Sequence, residues 1–371
     1  MLRTYRWRFP LMALALLSLL AGLWAGLQRL GWGLPRLQAT LALEHGPLMV
    51  VGFLATLIGL ERAVALQRLG HRWAFVAPSL SGLGALLLIV GLPGEPGRLL
   101  ILLGGAGLVA IFALLLRHQT TLFMATMALG ALSLLVGSAL WLSGWPLYRM
   151  ISWWGGFLVF TIAGERLELS RVRRLTSGVR GSFILAVGIL LAGIFLTLAD
   201  PDAGLRLSGV GLLALALWLL RYDVALRTVR QAGLTRFIAL CLLPGYVWMG
   251  FSGLLMLYFG IIPAGPAYDA MLHTLFLGFV FSMIFGHAPI IFPAVLRLSV
   301  PFRPTFYGHL LLLHLGLLLR IGGDLAGWPA GRQWGGLFNV VALLLFLLNT
   351  GLAVRGAKTA SNQRAMNFPA T

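Results

Sequence analysis

Apolar runs about as long as a bilayer is thick recur along the whole chain. They lie near residues 10–29, 40–61, 73–92, 98–116, 120–142, 147–165, 181–199, 205–221, 237–262, 268–292, 305–322 and 334–354. A transmembrane helix needs roughly 20 predominantly apolar residues. In lipid the backbone must satisfy its own polar groups, which leaves a helical bundle as the expected fold. Only 10% of the 371 residues are charged and 59% are hydrophobic, so the bilayer is the expected solvent and lipid the first partner. No connection between runs is long enough to hold a folded domain. The chain reads as one polytopic domain, 1–371, with residues 356–371 expected as a disordered cytoplasmic tail.

The formal charge of +18 invites a nucleic-acid reading, but its distribution excludes one. With the N-terminus cytoplasmic, 21 of the 28 basic residues fall at the cytoplasmic ends or loops. They include Arg3, Arg6, Arg8, Arg62, Arg68, Arg72, Arg166, Arg171, Arg173, Arg174 and Arg180. Arg36, Arg98, Arg149, Arg206, Arg320 and Arg332 fall on the far side. Such a bias is the positive-inside rule, and it predicts a multi-pass protein of a bacterial inner membrane with both termini cytoplasmic. Cys241 is the only cysteine, which excludes an intramolecular disulfide or a thiolate cluster and leaves a small apolar core residue. There is no phosphate loop and no C-x-x-C-H sequence for covalent haem.

One short pattern occurs three times. Gly52-Phe53 is followed nine residues after the glycine by Glu61, Gly156-Phe157 by Glu165, and Gly278-Phe279 by His287. These copies fall on the second, sixth and tenth runs, so the expected fold is all-α, with twelve transmembrane helices in three pseudo-repeated four-helix units. The repeated glycines suit either close helix packing or room for a flat cofactor.

His45 and His273 lie about five residues inside the second and tenth runs, which point the same way. Both imidazoles are therefore expected at one depth, in the outer half of the membrane, where an unsatisfied ring is expensive. A depth-matched pair suits the two axial positions of a haem iron, with haem b the expected cofactor. Glu44, Asp269 and Thr274 are candidates to fix the rings from behind. Arg149 and Arg320, with Arg36 and Arg332 behind them, are candidates for the haem carboxylates. Arg320 could instead pair with Asp324, four residues on.

A second polar group is expected at the cytoplasmic ends, where His287, His309 and His314 are candidates for a copper or second metal site. His309 and His314 are about 140° apart around a helix, which opposes one shared ion. Glu61 and Glu165 read as salt-bridged helix ends or as a proton or ion entry point. His71 and His118 read as solvated.

Histidines on the second and tenth of twelve helices in three sets of four resemble the catalytic subunit of haem–copper oxidases and nitric oxide reductases. There, those helices supply the axial ligands of the low-spin haem. The copper ligands of that superfamily have no counterpart here, because the sixth and seventh runs carry no histidine. His45-Gly46-Pro47-Leu48-Met49-Val50-Val51-Gly52-Phe53 and the stretch from His273 to His287 more closely resemble the NnrS family of haem membrane proteins. That resemblance implies handling of nitric oxide or a related diatomic gas, or electron transfer with a redox partner, and an oxidoreductase if the chain is an enzyme. The alternatives are an ion-coupled transporter using Glu61, Glu165 and His287, and a cofactor-free accessory subunit of a respiratory or denitrification complex.

Overall fold

A computed structural model describes residues 8–92, 95–170 and 175–367, with side chains to Ala357. Of the basic residues that carry the charge bias, Arg3, Arg6, Arg171, Arg173 and Arg174 lie outside these. The chain is all-helical in its described elements, and a helix occupies each of the expected places. In chain order these are α1 (Arg8–Arg29), α2 (Leu41–Gln67), α3 (Arg72–Val90), α4 (Pro96–His118), α5 (Leu122–Leu142) and α6 (Leu147–Leu169). They continue as α7 (Ser177–Leu196), α8 (Pro201–Tyr222), α9 (Gly233–Phe259), α10 (Pro266–Leu296), α11 (Phe306–Leu325) and α12 (Pro329–Asn367).

Among the described residues, 11 helices are long and apolar enough to cross a membrane, which makes the chain a multi-pass membrane protein. The exception is α6, whose tryptophans, glycines and Arg149 lower its mean hydropathy. Its surroundings explain that composition. Every residue from Trp153 to Gly164 is buried, on all faces of the helix. A helix wrapped by other helices has no need to be lipophilic, whereas outer helices such as α4, α7 and α11 expose Leu103, Leu185 and Leu318 outward.

α12 does not stop where the polar tail begins. It continues to Asn367, so residues 356–367, expected to be disordered, are helical, and 368–371 lie outside the described residues. Once a long helix is nucleated, each further residue adds one hydrogen bond at little cost, and this segment holds no proline before Pro369.

Helices adjacent in sequence pack as antiparallel neighbours, and α10 also touches α1, α2 and α6. The repeated glycines serve this packing. A Cβ on Gly52 would meet Ser18 of α1 and Ala85 of α3 at 2.9 Å, and one on Gly278 would meet Trp248 of α9 at 2.5 Å. Neither lines the cavity described below, so the packing reading holds for both and the cofactor-room reading does not.

α2 and α10 share a second trait, absent from α6. Each changes from α to π winding in mid-helix, at Leu48–Ala55 and at Thr274–Phe281. A π turn inserts a residue into the α ladder, rotates the side chains on either side of it, and is often found at functional sites.

Candidate functional site

The two π turns sit just beyond His45 and His273, and the two rings are near-parallel neighbours. Their centres are 6.2 Å apart and their planes 23° from parallel. Each ring is held at Nδ1 by a backbone carbonyl, His45 by Gly22 of α1 at 2.7 Å and His273 by Asp269 at 2.9 Å. A carbonyl can only accept, so Nδ1 carries the proton in both rings and Nε2 keeps its lone pair. Neither Nε2 makes a hydrogen bond among the described residues. That is the arrangement expected of metal-binding imidazoles, whose second nitrogen is normally tied to a carbonyl or carboxylate.

Both histidines line a cavity of about 240 Å³. Its walls are largely apolar, with Leu23, Met49, Leu54, Leu277 and Phe281 among them, and one rim is cationic, with Arg29, Arg320 and Arg332. Apolar walls with a few convergent polar groups are the usual form of a ligand site. Gly26 of α1 completes the fit around His45, because a Cβ there would lie 2.9 Å from the ring's Cε1.

Asp269 organises the rim. It takes a bidentate pair from Arg320, Nε to Oδ2 at 2.7 Å and an Nη to Oδ1 at 2.8 Å, and its Oδ1 lies 3.3 Å from Nδ1 of His273. Arg332 approaches the same carboxylate at 3.7 Å and Asp324 at 3.1 Å. Arg320 therefore pairs with Asp269 on the neighbouring helix, not with Asp324, which takes Arg332 instead. Of the residues expected behind the rings, only Asp269 acts there. Thr274 hydrogen-bonds the carbonyls of Ala270 and Met271, and Glu44 does not reach His45. Arg149 lies outside the cavity wall, with its guanidinium over the Trp145 ring at 4.6 Å. Arg36 lies outside that wall too.

The three remaining candidate histidines do not form one cluster among the described residues. His309 sits in an aromatic cage of Phe285, Phe306 and Phe346, with Asn349 at 3.1 Å from its Nδ1. His314 accepts a hydrogen bond at Nδ1 from the Trp248 indole at 3.1 Å and lies 3.4 Å from the Ser282 hydroxyl. His287 is bound at Nδ1 to the Met283 carbonyl and lines a separate chamber with Glu61 and Glu165. No group of three or more His, Cys, Asp or Glu residues suited to an ion occurs among the described residues. The three rings thus have separate surroundings, although Nε2 of His287 and Nε2 of His309 are buried without a hydrogen-bond partner. His71 and His118 stand near one another, with ring centres 6.4 Å apart, at the surface turns.

The buried Arg166–Asp223 pair was not among the sequence candidates. Both nitrogens of the fork bond the two carboxylate oxygens at 2.8 Å, and Asp223 also caps the amide of Ala225 at 2.7 Å. It ties α6 to the connection after α8. The family model of DUF8744, a domain of unknown function, matches residues 8–355. The chain belongs to the DUF8744 family. No curated protein matches this DUF8744 chain.

Proposed function

We propose that this DUF8744 chain is a haem-binding membrane protein that handles nitric oxide or a related diatomic gas, or passes electrons linked to that chemistry. His45 and His273 would hold the iron from its two faces. The observation that carries this reading is their pairing. Metal–imidazole bonds run about 2 Å, and each ring centre lies about 1 Å behind its nitrogen, so two rings that aim Nε2 at one ion from opposite sides have centres about 6 Å apart. The observed separation is 6.2 Å, with both Nδ1 atoms already engaged and both Nε2 atoms without a partner among the described residues.

Apolar wall residues such as Leu54 and Leu277 would lie against a flat macrocycle, and Arg29, with the donors that Arg320 and Arg332 keep beyond their Asp269 and Asp324 pairs, would receive its carboxylates. A haem would supply one-electron chemistry and, on loss of one histidine, an open position for a gas. The residues' own part is to fix orientation. Asp269 and the Gly22 carbonyl hold the two imidazoles in the tautomer that presents Nε2.

The further parts of the reading follow the same line. We take the architecture as twelve spans in three four-helix units resembling a haem–copper oxidase, the cofactor as haem b, and the nearest functional likeness as NnrS. The location proposed is the bacterial inner membrane, with the histidine cavity in the outer half and both termini cytoplasmic.

The deciding experiment is the reduced-minus-oxidised visible spectrum of detergent-purified protein, with a pyridine haemochrome assay. Sharp low-spin bands at about one haem per chain are the expected result. Colourless, well-folded protein from cells supplied with haem would overturn the reading and leave ion-coupled transport as its replacement.

A further inference from the structure

The other end of the bundle holds a second chamber, and the three copies of the sequence repeat meet in it. Glu61 of α2, Glu165 of α6 and His287 of α10 all line one cavity of about 90 Å³, large enough for several waters. The remaining wall is mostly apolar. Phe53 lies on this side and Phe281 on the histidine side, with Leu54 touching both cavities. The stacked Phe53–Phe281 pair therefore stands between the two.

The charges in this chamber do not balance. Arg62 forms an ion pair with Glu165 and lies over the Phe112 ring of α4, 5.9 Å from its centre. That fixes the guanidinium on one carboxylate. Glu61 is 3.8 Å from the same guanidinium, and its side chain is 26% exposed. Across from it, His287 donates Nδ1–H to the Met283 carbonyl at 2.7 Å, and its Nε2 is buried without a hydrogen-bond partner. Two carboxylates, one guanidinium and a neutral imidazole leave one surplus negative charge in an apolar chamber, where it is costly. One proton removes it.

We propose that this chamber is a proton-binding site that holds one exchangeable proton between the Glu61 carboxylate and Nε2 of His287, through water in the cavity. The charged groups facing it are Arg62 on α2, Glu165, Arg166 and Glu168 on α6, and Asp223 after α8. Asp223 is held by Arg166 and Glu165 by Arg62, so neither is free to take the proton, and Glu168 does not line the chamber. The two cavities share the helices α2 and α10, so the proton would respond to charge at the histidine pair. This last step rests on the haem reading. An electron added there by an external one-electron donor, such as dithionite, would be matched by a proton taken up from water at Glu61.

The test is an infrared pH titration of the purified full chain in H2O and D2O, with Glu61→Gln, His287→Gln and the surface control Glu95→Gln. A protonated-carboxyl C=O band that shifts in D2O is expected in the parent and the control and should be missing from Glu61→Gln. In His287→Gln its midpoint should move by at least tenfold in proton concentration, which gives a second arm if Glu61→Gln does not fold. No such band in the parent, or the same band in Glu61→Gln, would overturn the proposal. In haem-loaded protein the midpoint potential should fall with pH by up to about 59 mV per unit, and Glu61→Gln should flatten that slope. Equal slopes would overturn the coupling alone. Haem-free protein would overturn the haem reading, and the infrared arm would still decide the chamber.

Discussion

Phe53 and Phe281 stack with ring centres 6.0 Å apart and planes 17° apart, and each lies eight residues after a cavity histidine. The register that matters between α2 and α10 is therefore set by His45…Phe53 and His273…Phe281. It differs by two residues from the register of the repeated Gly-Phe pairs. The π turns keep the register of the glycines, each beginning four residues before its glycine, at Leu48 and at Thr274, so the two-residue offset lies between the histidines and the π turns. The glycines answer to their own neighbours, Ser18 and Ala85 for Gly52 and Trp248 for Gly278.

If the two rings share one iron, removing either should change its coordination. His45→Ala and His273→Ala are each expected to abolish the low-spin spectrum or convert it to a high-spin one, whereas His118→Ala, at the exposed end of α4, should leave it as it was. Optical spectra and haemochrome stoichiometry of the three variants check this. Identical spectra in all three would remove the ligand assignment.

The histidine pair was legible because depth is a sequence property: both residues stand the same distance into runs that point the same way. The group behind His45 was not legible. It is the carbonyl of Gly22 on α1, and a backbone carbonyl leaves no mark in composition. Arg320 misled for the opposite reason. Asp324 is one helical turn away in sequence, but Asp269 on α10 offers a bidentate fit, and geometry outweighs proximity in sequence. Glu61, Glu165 and His287 were equivalent on paper, and only the packing of α2, α6 and α10 shows that equivalence as one chamber.

The Arg166–Asp223 pair should behave as a buried ion pair does when it is halved. Its side chains are 3% and 0% exposed. Removing one partner leaves an uncompensated charge, so Arg166→Gln or Asp223→Asn should each cost about 3–5 kcal/mol, while replacing both by apolar residues should recover much of that. Thermal unfolding in detergent, followed by tryptophan fluorescence, measures it. Losses below 1 kcal/mol in both single variants would mean that water reaches the pair.

Helix contact explains Gly278 better than any cofactor does, and that is separable by substitution. A Cβ at Gly278 would meet Trp248 Cβ and Cγ at 2.5 Å and Leu317 at 3.0 Å. Gly278→Ala should therefore overpack the α9–α10 contact and cost about 1–3 kcal/mol. Gly188→Ala, where nothing lies within 4 Å, should be neutral or slightly stabilising. Thermal stability of the two variants distinguishes the sites, and equal behaviour would refute the packing account.

Gly26 gives a way to disturb the histidine pair without touching a ligand. It lies on α1, one turn from the carbonyl that holds His45, and a Cβ there would come within 2.9 Å of Cε1 and 3.1 Å of Nδ1 of that ring. The ring would have to move by a few tenths of an ångström, which disturbs its bond to Gly22. Gly26→Ala should thus weaken haem retention while leaving thermal stability close to that of the parent, and Gly26→Leu should prevent binding. Haem-to-protein ratio measured beside unfolding temperature checks both at once. Full haem retention in Gly26→Leu would mean that the packing of α1 against His45 does not set the ring's position, and the role given to Gly22 would fall with it.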